Sequence, residues 1–193
     1  MIHPNPAEPA VETIAEVIRS RRTIHLFEPE RVPPDEEILA AIELARWAPN
    51  HHLTEPWRFY ILGRQTADAI AHLNAELVTK SRGEAAGRAK LERWLAVPGW
   101  MVVTSRRSSD PIRDREDYAA CCCAIQNLQL HLWSRGIGTK WTTGKVTQTA
   151  RFFELMNVDP TAERLVSMLW YGYPSEIPRP PRRTREDFIA RRP

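Results

Sequence analysis

Residues 45–62 read ARWAPNHHLTEPWRFYIL. Pro49 removes a helical N–H and cannot sit inside a helix, so the apolar-periodic run before it must stop there. Trp57–Leu62 is aromatic and β-branched and ends at Gly63, which reads as a strand. A helix, a loop of fixed length and a strand are thus set by one stretch. The loop carries two adjacent histidines, His51 and His52, and adjacent histidines invite a metal. A metal needs three or four ligands. Neighbouring side chains in an extended loop point apart, and no third ligand is spaced to help, so the sequence disfavours a metal site. One histidine could serve in acid-base chemistry or hold a single hydrogen bond.

Working outward, the helix before Pro49 opens at Pro33-Pro34-Asp35, with Glu36 and Glu37 in its first turn and Ile38, Leu39, Ile42 and Ala45 at helical spacing. An earlier helix runs from Val11 to near Arg21 and gives way to a basic, proline-containing loop, RRTIHLFEPERVPP. Residues 1–10 carry three prolines and read as a flexible arm, which leaves 11–193 as a single domain. After the first strand, residues 64–96 are helical, with Gly83 and Gly87 as expected interruptions. WMVVT (Trp100–Thr104) is a second, buried strand. A long helix spans about Asp114 to Ser134, rich in alanine and cysteine in its first half, so that another helix can approach it closely. It ends at Gly136 and Gly138. GTKWTTGK fits a short strand and turn, Gln148–Met156 a helix, and LVSMLW (Leu165–Trp170) a third clear strand. The tail PRPPRRTREDFIARRP is rich in proline and arginine; Glu186 and Asp187 in it read as surface charges. At least three strands separated by helices predict a sheet covered by helices.

The bulk numbers narrow the function classes. At 193 residues, 42% hydrophobic and 26% charged, the chain can bury one sizeable core. No run is long enough to span a bilayer, and the N-terminus lacks the pattern of a signal peptide, so the expectation is a cytoplasmic protein with no membrane partner. A net charge of +3, mostly arginine against acids, does not argue for nucleic acid, and aromatics do not interleave with the arginines as stacking platforms. Cys121, Cys122 and Cys123 stand in a row, which suits neither a disulfide framework nor a zinc site. No dinucleotide G-x-G-x-x-G, P-loop, G-x-S-x-G or H-E-x-x-H pattern is present. Ser20-Arg21-Arg22-Thr23 supplies guanidiniums, a hydroxyl and backbone donors within four residues, chemistry suited to a phosphate monoester.

Four segments in order resemble the FMN-dependent nitroreductase family, short branch: SRRTIHLF, where the family has Arg-Arg-Ser; APNHHLTEPWRFYIL, where it has Ala-Pro-Ser and then Gln-Pro-Trp; AIQNLQLHLWSRGIGTKW, where Asn-Leu runs into Gly-Leu-Gly; and LVSMLWYGYPSE, with Gly-Tyr-Pro. The resemblance covers about residues 11–190. It implies an α+β, nitroreductase-like fold, with a mainly antiparallel central sheet sandwiched by helices, built as an intertwined homodimer with FMN at the subunit interface. It also implies that NADH or NADPH reduces the flavin and leaves, and that a small-molecule acceptor such as a nitroaromatic or quinone then takes the electrons at the same face.

By the same resemblance, Arg21, Arg22 and Thr23 face the FMN phosphate, with Arg182 or Arg183 of the tail adding to them. Trp141, Thr142, Thr143 and Gly144 contact the ring. His51 meets the flavin across the dimer interface, and Trp47 lines the same site. No side chain is expected to act as a catalytic acid or base, because the flavin carries the chemistry. Two departures stand out. The family's frequent Lys or Arg two residues after its Arg-Arg-Ser is His25, so another cation, Lys140 or Lys145, is expected to substitute at the pyrimidine edge. The family's Asn and Gln before Pro-Trp are Leu53 and Glu55, so an amide contact is lost. The alternatives are a specialised flavin enzyme of the same fold or a non-catalytic flavin-binding protein.

Overall fold

A computed structural model describes residues 14–193; the expected arm at 1–10 and the first turn of the expected helix from Val11 lie outside the described residues. Six α-helices and four strands are described: α1 Ile14–Ser20, α2 Asp35–Ala45, β1 Trp57–Ile61, α3 Arg64–Arg82, α4 Glu84–Leu95, β2 Gly99–Arg106, α5 Pro111–Ser134, β3 Gly138–Thr142, α6 Ala150–Met156 and β4 Glu163–Gly172. The strands form one antiparallel sheet in the order β1-β2-β4-β3. This is the expected α+β arrangement.

Both faces of the sheet are covered. On one, Trp100 and Val102 of β2 and Met168 and Trp170 of β4 pack on Ile70 of α3, Trp94 of α4 and Phe152 of α6. On the other, Met101, Val103, Leu169 and Tyr171 pack on Ile38 and Ala41 of α2 and on Cys121, Ile125 and Leu128 of α5. Burial of both faces explains why β2 and the second half of β4 are continuously apolar instead of alternating. Where the register shifts between Val103 and Thr104, β4 holds one extra residue, and Val166 turns to the α5 side. Such a bulge breaks the period of two.

Three boundaries differ from expectation for identifiable reasons. β2 extends to Arg106 because Arg106 donates its N–H to Pro56 O (2.8 Å) and continues the sheet edge. α5 begins at Pro111, three residues early: Asp110 caps it, accepting from Ile112 N at 2.9 Å, and proline at the first helical position has no N–H to lose. Gly83 separates α3 from α4 with a φ of 88°, as expected, but Gly87 lies inside α4. A Cβ there would come within 1.8 Å of Thr79 Oγ1, so Gly87 permits two helices to touch and does not interrupt one. Asp110→Ala should lower stability by about 1 kcal/mol through loss of the cap; a urea midpoint unchanged from that of the parent chain would contradict the assignment.

Cys121 is buried on α5 and its thiol is pushed up to about 12 by burial, which makes it a packing group at neutral pH. No described helix is long and apolar enough to cross a membrane.

Candidate functional site

The segment after α1 is laid along the outer edge of the sheet. Thr23 bridges Thr139 in parallel, Ile24 N donates to Thr139 O at 2.9 Å, and Glu28 N donates to Tyr173 O at 2.9 Å. Gly138 makes this docking possible, since a Cβ on it would lie 2.4 Å from Ile24 Cγ1. The arginine motif is therefore held between the end of α1 and strand β3.

Arg21 is half-buried, and none of the described carboxylates pairs with it. Burial lowers its pKa, and the charges of Arg182 and then Arg22 lower it further. Three guanidiniums thus crowd one place with none of the described carboxylates to balance them, which is unfavourable unless an anion completes the cluster. Arg22 is already engaged: its Nη1 donates to Arg19 O (2.6 Å) and Arg21 O (2.9 Å). That leaves Nη2 and Nε of Arg22 for an anion, while among the described residues no Arg21 side-chain donor is engaged. Of the two tail candidates, Arg182 joins the cluster. Arg183 instead stacks over Phe188 at 4.5 Å within the tail.

One residue further along, His25 lies beside Lys140 of β3. Burial lowers the His25 pKa, followed by the charges of Lys140 and Arg93. Lys140 is half-buried, sits 4.7 Å above the Trp170 ring, and is itself lowered by burial, then by Arg93 and Lys90 of α4. Between the two expected substitutes for the missing cation, Lys140 stands next to His25, and Arg93 is an addition that sequence spacing did not reveal. Trp141 is half-buried against the α5 side of the sheet. Thr142 and Thr143 lead off β3 into a turn in which Gly144 O accepts from the Thr147 N–H and hydroxyl, at 3.0 and 2.9 Å. Arg21, Arg22, Thr23, Arg182 and the Trp141–Gly144 turn therefore attach to one edge of the sheet.

His51 and Trp47 lie apart from that edge. Trp47 is 76% exposed and lines an apolar groove of about 500 Å³ with Ile14, Val17, Leu44 and Leu130. His51 is exposed, and its Nδ1 lies 2.9 Å from Glu116 Oε2. The two histidines do not point apart, as an extended loop would have them. His52 adopts a left-handed φ of 63°, and the two rings stack with centroids 3.8 Å apart. A third potential ligand, Glu116, is brought from 65 residues away. Both geometric reasons for setting a metal aside are thus overturned, and nothing in the local sequence signals Glu116.

The nitroreductase family model matches residues 18–173, most of the chain. The chain belongs to the nitroreductase family. It is 34% identical over 176 residues to YfhC of Bacillus subtilis (strain 168), provisionally named an NAD(P)H nitroreductase, with 89% of each chain covered. A nitroreductase-like family protein from Bacillus cereus has a crystal structure that superposes with a TM-score of 0.83 at 30% identity, covering 95% of this chain and 98% of that one. The same fold, at 20% identity and a TM-score of 0.73, is that of a Desulfovibrio desulfuricans protein solved in complex with FMN, with 99% of both chains covered. Membership of the nitroreductase family makes this chain an oxidoreductase.

Proposed function

We propose that this nitroreductase-family chain is an FMN-dependent oxidoreductase that takes electrons from NADH or NADPH and delivers them to a nitroaromatic, quinone or related acceptor. The observation that carries the reading is the uncompensated cluster of Arg21, Arg22 and Arg182 beside Thr23. A half-buried guanidinium with no carboxylate suits a dianionic phosphate, and charge-assisted contacts of that kind are among the stronger ones. The residues present therefore fit FMN. When bound, FMN supplies the hydride acceptor, and the protein supplies position and electrostatics.

In this reading Arg21 and Arg182 hold the phosphate, with Arg22 adding charge and Thr23 a hydroxyl. Lys140, with Arg93 behind it, provides positive potential at the pyrimidine edge where His25 replaces the more common cation. The turn Trp141-Thr142-Thr143-Gly144 borders the ring. The reading also includes a homodimer. Trp47, Ile14, Leu44 and Leu53 expose apolar surface that a second copy would cover, and His51 would reach the flavin from that second copy. The tail beyond Tyr173, where Ile177 and Ile189 are exposed, offers apolar groups to the same partner.

The purified protein should be yellow, and NADH or NADPH added without oxygen should bleach it. A colourless protein that takes up no added FMN would refute the proposal. A yellow protein that neither donor bleaches would leave flavin binding intact and favour the non-catalytic alternative.

A further inference from the structure

We infer that His51, His52 and Glu116 form a binding site for a transition-metal dication of the zinc class. The Nδ1 of His51 lies 2.9 Å from Glu116 Oε2, and one ligand atom from each of the three residues lies within 4.8 Å of the others. Donors around a four-coordinate zinc are about 3.3–3.6 Å apart, given metal–ligand bonds of about 2.0–2.2 Å. One pair is already within that spacing, and the His52 nitrogen lies within 4.8 Å of both its neighbours. Two imidazoles and one carboxylate favour zinc, nickel or copper over magnesium or calcium, which prefer oxygen throughout.

The loop is built to hold this arrangement. His52 and Leu53 both take left-handed φ values, 63° and 51°, and Glu55 follows at 42°. That turn places the His52 ring back over His51. Asn50 Oδ1 accepts from Glu55 N at 2.7 Å, and Asn50 Nδ2 donates to Thr54 Oγ1 at 3.0 Å. Thr54 Oγ1 in turn donates to Asp117 Oδ1 at 2.5 Å, and Arg106 Nη2 donates to Thr54 O at 3.2 Å. Asp117 is buried and adjacent to Glu116, so the loop is fastened to the same turn of α5 that presents the carboxylate. Outer partners of this kind orient metal ligands. In the single chain both histidines are exposed, with room for water as a fourth ligand.

The site does not depend on the flavin reading. A metal on Nδ1 of His51 leaves Nε2 as an N–H donor, so the histidine can still face a second ligand.

The test is calorimetric titration of ZnCl2 into the chain as purified, after chelator treatment and gel filtration, with bound zinc counted by atomic absorption and flavin colour read on the same samples. A single ion per chain is expected. His52→Ala and Glu116→Gln should each weaken binding by about tenfold or more, since even outer-shell changes cost about that much, while His72→Ala on α3 should bind like the parent chain. No bound zinc at a tenfold excess, or equal binding by all three variants and the parent, would overturn the inference. Yellow protein that binds no zinc refutes this site alone; colourless protein that binds zinc refutes the flavin reading alone.

Discussion

Arg21→Ala should purify with little or no flavin and bind added FMN about tenfold to a hundredfold more weakly, because a hydrogen bond to a charged group is worth about 1.5–3 kcal/mol. The direction follows from the crowding of guanidiniums. Arg21 is half-buried, is disfavoured by Arg182 and Arg22, and has no described carboxylate to relieve it. Removing it also relieves that repulsion, so the empty protein should be no less stable than the parent. Loss of flavin without loss of fold is the signature, read by fluorescence titration of FMN alongside circular dichroism. His52→Ala, far from the cluster, should retain flavin normally. Equal retention by the two variants would contradict the placement of the phosphate.

Trp170→Ala should give the largest loss of stability, about 3–5 kcal/mol from lost burial and the cavity together. Trp170 is 2% exposed at the centre of the sheet. It meets Trp94 edge-on at 5.0 Å and Trp100 at 5.5 Å, and its ring lies under Lys140. Such aromatic pairs add about 0.5–1.5 kcal/mol each beyond their area. For a chain of this size each kcal/mol shifts Tm by about 2–4 °C, so calorimetry should show a drop on the order of 10 °C. A shift of a degree or two would mean that the three tryptophans do not form the mechanical centre of that face. Trp170→Phe, which keeps a ring, should fall in between.

Elements whose physics is local were legible in the sequence. Pro49 stops α2, Gly83 divides α3 from α4, and the apolar run at Leu165–Trp170 is a buried strand because each feature acts on its own neighbours. Arg21 and Thr23 stand out in the sequence for the same reason: their donors lie within four residues of one another. What was not legible depends on approach from elsewhere. Gly87 looks like a helix interruption until Thr79 of the preceding helix is seen against it. Arg22 looks equivalent to Arg21 until its donors are found on Arg19 O and Arg21 O. Glu116 and Arg93 carry no local mark, and the left-handed turn at His52 that aligns two rings cannot be inferred from a residue with a side chain. The bulge at Val103/Thr104 likewise reverses the facing of Val166 without a glycine to announce it.

The strand order β1-β2-β4-β3 has a consequence for how the chain is made. β4, the last strand to leave the ribosome, is the one that sits between β2 and β3. The arginine segment near the start of the chain is hydrogen-bonded to β3 and to Tyr173, just past the end of β4. The arginine segment therefore waits for residues as far on as Tyr173 before its scaffold exists. Closure of such distant pairings slows folding, and during synthesis one edge of β2 stays unpaired until residues 163–172 arrive. For this chain, residues 138–173 must follow the arginine segment before the sheet edge that holds it can form.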